Sequence, residues 1–130
     1  VSLYKRDLDI DRRWSRLMSL LENHVGKRPK DLNAVLFLIG VQELGHGSRS
    51  YSKEEKQDLM HIAICRVLSP AGYYRLQGHD EDGWPHWKAL RKLPRFDLPE
   101  QERLLRMQVL DYFEDEFGWV IAADHEDPNV

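Results

Sequence analysis

The sequence predicts an all-α fold, a compact bundle of four main helices with an irregular, aromatic-rich insert before the last one. Three observations carry that expectation. Apolar residues recur every three or four positions in the first segment, capping residues bracket the later ones, and the connections are short apart from residues 72–96.

The first helix is read over Leu8 to Val25. Ile10, Trp14, Leu17, Leu21 and Val25 fall on one face, and Asp11, Arg12, Ser15, Arg16, Ser19 and Glu22 lie between them. Gly26 and Pro29 end it. The second helix follows Asp31, a good N-cap, and is apolar on every face from Ala34 to Val41 before Gln42, Glu43 and Gly45 close it. Periodicity alone does not separate such a run from a buried strand. Its length of about four turns and its two caps favour a helix, which is expected to be the most buried element. Ser52-x-x-Glu55 has the spacing of a capping box and opens a third helix that Ser69-Pro70-Ala71-Gly72 stops after Leu68. Within the insert, Tyr73 to Leu76 is read as a short strand and Pro85 to Leu90 as one or two helical turns. Asp97 caps the last helix, Pro99 sits in its first turn, and Gly118 stops it after Phe117.

The 130 residues fit one domain, 1–130, with 1–7 and 124–130 expected to fray. Hydrophobic residues make up 42% and charged residues 32%, a globular balance that argues against wholesale disorder. The longest apolar run is far short of the roughly 20 residues a membrane helix needs. A lone Cys65 forms no intrachain disulfide, which points to a cytoplasmic protein. Val1, rather than Met, is compatible with a removed leader. A net charge of -3 argues against nucleic-acid binding. The charge is unevenly spread: residues 1–30 carry eight Lys or Arg against four acids, and 111–130 carry seven acids with no Lys or Arg. The two ends therefore attract, either pinning the last helix on the first or joining chains.

Two groups of residues are candidates for function. Tyr73, Tyr74, Trp84, Trp87 and Phe96 crowd the insert, and Leu104 and Met107 lie off the main apolar face of the last helix. Large amphipathic rings on a loop have the composition of a binding surface, and they also serve to close the end of a small core. The second group is His46, Asp58, His61, His79, Asp80, Asp82 and His86, all metal-ligand types. On the third helix Glu54, Asp58, His61 and Cys65 fall on one stripe, although a single stripe offers ligands from one direction only. Arg66 falls on the apolar face and needs a partner. Glu43 is the candidate, with exposure of the Arg66 head to water as the alternative.

Glu43-x-x-His46 and Asp58-x-x-His61 resemble the Glu-x-x-His pairs of di-iron carboxylate bundles, which would imply a metal held between helices. Here Gly45 and Gly47 place His46 past the helix end, and neither outer helix offers a clear inward Glu. Glu54-Glu55-Lys56-Gln57-Asp58 looks like the first magnesium motif of the helical nucleotide pyrophosphatases with Asp substituted, and the second motif is absent. No Gly-x-Ser-x-Gly elbow, Walker A loop, dinucleotide fingerprint or Cys-x-x-Cys pair occurs. The expectation is a non-catalytic protein-interaction module that binds a protein partner or a second copy of itself as a homodimer, with no cofactor and no membrane or nucleic-acid partner. The alternative is a divalent-metal-binding protein or metal-dependent hydrolase.

Overall fold

The computed structural model describes residues 3–47, 49–93 and 97–121. Its elements in chain order are α1 (Leu3–Val25), α2 (Leu32–Leu44), α3 (Lys53–Leu68), β1 (Tyr74–His79), β2 (Pro85–Ala89) and α4 (Leu98–Phe117). They form two compact units, one built on α1 and α4 and the other on α2, α3 and the two strands. The all-α expectation is thereby corrected: the described residues are mostly helical but also hold a two-stranded antiparallel sheet. No helix among them is long and apolar enough to cross a membrane.

In the first unit α1 begins at Leu3, earlier than the predicted Leu8. Its apolar face, from Ile10 through Trp14, Leu17, Met18 and Leu21, is buried, as are Val109, Leu110, Tyr112 and Phe113 of α4. The opposite charges of the two ends meet within the chain. Arg13 Nη2 lies 2.6 Å from Glu114 Oε1, and Arg13 Nε donates to the Ile121 carbonyl at 2.8 Å. Arg16 Nε reaches the Val120 carbonyl at 3.3 Å, so the segment after Gly118 is tied back to α1. Trp119 stacks on Phe113, with ring centroids 5.2 Å apart. The 124–130 tail lies outside the described residues.

In the second unit the local signals act as expected. The Asp31 carboxylate accepts the Ala34 N–H at 2.9 Å, and Ser52 and Glu55 complete a capping box at the start of α3. The apolar run 34–41 is helical, which places Val35, Leu36 and Ile39 in the core. It is not buried on every side, because Phe37, Leu38 and Val41 remain half-buried. α2 packs on α3 at Gly40. A Cβ there would lie 2.2 Å from the Leu59 carbonyl oxygen, so only glycine permits this approach. Arg66 Nε lies 3.3 Å from Glu43 Oε1, a half-buried pair that joins the two helices.

The strand at Tyr74–His79 extends the predicted one, and Pro85–Ala89 is a strand where helical turns were expected. β1 and β2 pair from Tyr74↔Ala89 through Leu76↔Trp87 to His79↔Pro85, with a bulge between Leu76 and Gly78. Two local features make this a hairpin. Pro85 has no N–H to donate and is tolerated as the first residue of a strand. At the tip, Gly83 N–H donates to the Asp80 carbonyl at 3.0 Å and Asp80 N–H to the Trp84 carbonyl at 3.0 Å, with Gly83 at φ 86. A β-turn followed by a left-handed glycine is a common short hairpin closure. The bulge falls on β1 and breaks its period-two pattern just after Leu76, where the predicted strand stops.

Candidate functional site

The helix α3 and the hairpin enclose an open groove of about 550 Å³. Glu55, Asp58 and His61, at successive spacings of three, and Ile62, four after Asp58, line it from one face of α3. Asp80, Trp84, Pro85, His86 and Trp87 line it from the hairpin. Trp84 is anchored on a small cluster of Leu44, Tyr51 and Leu59, and neither Trp84 nor Trp87 is fully buried. Trp87 Nε1 is shielded from solvent and has no hydrogen-bond partner among the described residues.

Two of the carboxylates are fixed by the fold. Asp80 Oδ1 accepts the N–H groups of Asp82 and Trp84, each at 3.0 Å, and Oδ2 lies 3.0 Å from His86 Nε2. These bonds hold the Asp80 carboxyl below the usual aspartate range, the His86 contact contributing most. Glu55 Oε1 accepts the Ser52 N–H at 2.9 Å and Oε2 the Arg49 Nη2 at 3.1 Å, and its carboxyl is lowered for the same kind of reason. Both groups stay ionised at neutral pH. Asp58 is exposed and has no hydrogen-bond or ion-pair partner among the described residues.

The predicted stripe of Glu54, Asp58, His61 and Cys65 is divided. Glu54 is exposed and does not line the groove, Glu55 does, and Cys65 is buried with 0% exposure. Burial pushes the Cys65 thiol up to about 11, and its Sγ lies 3.6 Å from His61 Nε2. A buried, protonated thiol is neither a nucleophile nor a ready metal ligand. Tyr74 meets His61 edge to face at 6.5 Å, and burial raises its hydroxyl, with Cys65 beside it adding to the effect.

Of the seven metal-type candidates, Asp58, His61, Asp80 and His86 share the groove lining, whereas His46, His79 and Asp82 do not. His46 lies at the hairpin tip, its Nε2 3.4 Å from where a Cβ on Gly83 would stand. His79 ends β1 opposite Pro85, and Asp82 is exposed in the turn. Among the described residues no three His, Cys, Asp or Glu side chains are grouped to hold a metal ion. Of the aromatic and apolar candidates, Trp84 and Trp87 line the groove and Tyr74 is half-buried beside it. Tyr73 is buried, with the Arg91 guanidinium 4.1 Å from its ring centroid, and so belongs to the core. Leu104 and Met107 are half-buried on α4 in the other unit. Phe96 lies outside the described residues.

Sequence reasoning missed Glu55 as a groove residue because its capping role explained it completely. The spacing Glu55, Asp58, His61 was the available signal. Comparison with known protein families, curated proteins and solved structures finds no match.

Proposed function

We propose that this chain is a non-catalytic protein-interaction module that receives a partner segment in the groove between α3 and the hairpin, in a cytoplasmic setting that suits its single buried thiol. The observation that carries the reading is the pair of half-buried tryptophans, Trp84 and Trp87, lining an open groove. Large rings with few rotatable bonds gain contact area at low entropic cost, which is why they concentrate at binding hot spots. Selection of displayed peptides on the wild-type chain tests this. Enriched peptides should lose most of their binding to Trp87→Ala, measured by fluorescence anisotropy. Peptides that bind both proteins equally would refute it. A second copy of the chain as partner would appear in light scattering as a larger species that Trp87→Ala weakens.

The alternative, a divalent-metal protein or metal-dependent hydrolase, has in its favour that Asp58, His61, Asp80 and His86 face one groove. Elemental analysis with a thermal-shift series over divalent cations separates the two readings, since a metal that binds only the folded state raises the midpoint.

A further inference from the structure

We infer that the segment received by the groove is cationic, a peptide whose Lys or Arg side chain lies against Trp84 and Trp87 with its charged head at Asp58. This rests on the interaction reading and adds the chemistry of the partner. Three observations converge on it.

The first is charge. Glu55, Asp58 and Asp80 line the groove, and no Lys or Arg does so among the described residues. Two of these carboxylates are saturated by the fold, Glu55 by Ser52 and Arg49 and Asp80 by its own turn and His86. Asp58 is left with its full accepting capacity.

The second is the cation held over each of three other aromatic rings in this chain. Arg49 lies 4.2 Å from the Tyr51 ring centroid, Arg91 4.1 Å from that of Tyr73 and Arg106 5.0 Å from that of Trp14. Tryptophan has the most favourable face for a cation. Yet Trp84 and Trp87, beside ionised carboxylates, carry no cation and no stacked ring among the described residues.

The third is shape. The groove is open, and the hairpin that forms one wall is held by the Asp80 turn and by the packing of Trp84 on Leu44, Tyr51 and Leu59. A preformed groove of this kind takes an extended side chain with little ordering of the protein.

Nuclear magnetic resonance on the full ¹⁵N-labelled chain tests the inference, with the indole N–H signals of Trp84 and Trp87 as reporters. Three acetylated, amidated hexapeptides are titrated: alternating Lys-Gly, Glu-Gly and Ser-Gly. The Lys-Gly peptide is expected to move both indole signals. Asp58→Asn and Trp87→Leu should each weaken it by a factor of roughly two to five, and the exposed acid Asp115, on α4, should tolerate Asp115→Asn with no effect. Asp58 is exposed, so that variant keeps the test valid if Trp87→Leu unfolds. If Glu-Gly or Ser-Gly moves the indoles as strongly as Lys-Gly, the cationic inference fails and the interaction module stands. If Asp115→Asn weakens Lys-Gly binding as much as Asp58→Asn, the attraction is diffuse and the inference fails. If no peptide moves the indoles and the display selection yields no Trp87-dependent binder, both readings fall.

Discussion

Replacing Gly40 by alanine should destabilise the protein, although the same change at an ordinary helical glycine stabilises. In a helix interior alanine is favoured over glycine by about 1 kcal/mol. At Gly40 the new methyl would stand 2.2 Å from the Leu59 carbonyl oxygen, 2.7 Å from its carbon and 2.8 Å from Leu59 Cβ. The nearest atoms are backbone, so no side-chain rotation relieves the clash, and α2 must retreat from α3 by about 1 Å to reach a tolerable contact. That retreat loosens a core that includes Val35, Leu36, Ile39, Ile62 and Ala63. Overpacking that shifts the backbone costs about 1–3 kcal/mol, and a clash with main-chain atoms stands at the upper end of that range, so after the propensity gain of about 1 kcal/mol a net loss of about 2 kcal/mol is expected. Urea unfolding followed by circular dichroism should show the midpoint falling by roughly 1–2 M. Two controls sharpen the measurement. Gly45→Ala meets nothing within 4 Å but sits at φ 76, and should lose only about 1–2 kcal/mol. Adding Leu59→Ala to Gly40→Ala should not rescue it, because the carbonyl oxygen remains. An unchanged or raised midpoint for Gly40→Ala would refute the close helix approach.

Two further outcomes follow from the titrating groups. Burial raises the Cys65 thiol from 9.0 to about 11, so at pH 8 its alkylation by iodoacetamide should be roughly a hundredfold slower in the native protein than in urea. The folded state favours the protonated thiol, and the contribution of Cys65 to stability should therefore decline as pH rises from 9.0 towards about 11; equal alkylation rates in the two states would show that the thiol is not buried. At the hairpin tip the Asp80 carboxyl is lowered by His86 and by the N–H groups of Trp84 and Asp82. Its contribution is therefore complete above the ordinary aspartate value of about 4 and is lost as pH falls through the lower native value. Asp80→Ala should remove amide protection across β1 and β2 at neutral pH, and hydrogen exchange that leaves Tyr74–His79 as protected as before would contradict the role of this carboxylate.

What the sequence determined by itself was local. Asp31, the Ser52–Glu55 box and Asp97 act through bonds to residues three or four positions away, and Gly118 ends α4 by adopting the left-handed conformation, so local sequence is enough to place the ends of α2, α3 and α4. The link from Arg66 to Glu43 was also legible, because a charge on an apolar helix face calls for an acid on the helix beside it. The charge imbalance of the two ends left two outcomes open, and the Arg13–Glu114 pair shows the charges meeting within the chain. Only the tertiary structure decided the rest. Pro85 permits a strand start but does not require one, and whether Pro85–Ala89 extends or coils depends on its pairing with Tyr74–His79. Cys65 and Asp58 lie two turns apart on one stripe of the same helix, yet one is buried and the other free, because exposure on a helix face is set by what packs against it. The groove itself joins Glu55 and Asp58 to Asp80, Trp84 and Trp87 across more than 20 positions of chain. Contacts closed over such separations depend on the whole unit folding, and local spacing does not encode them.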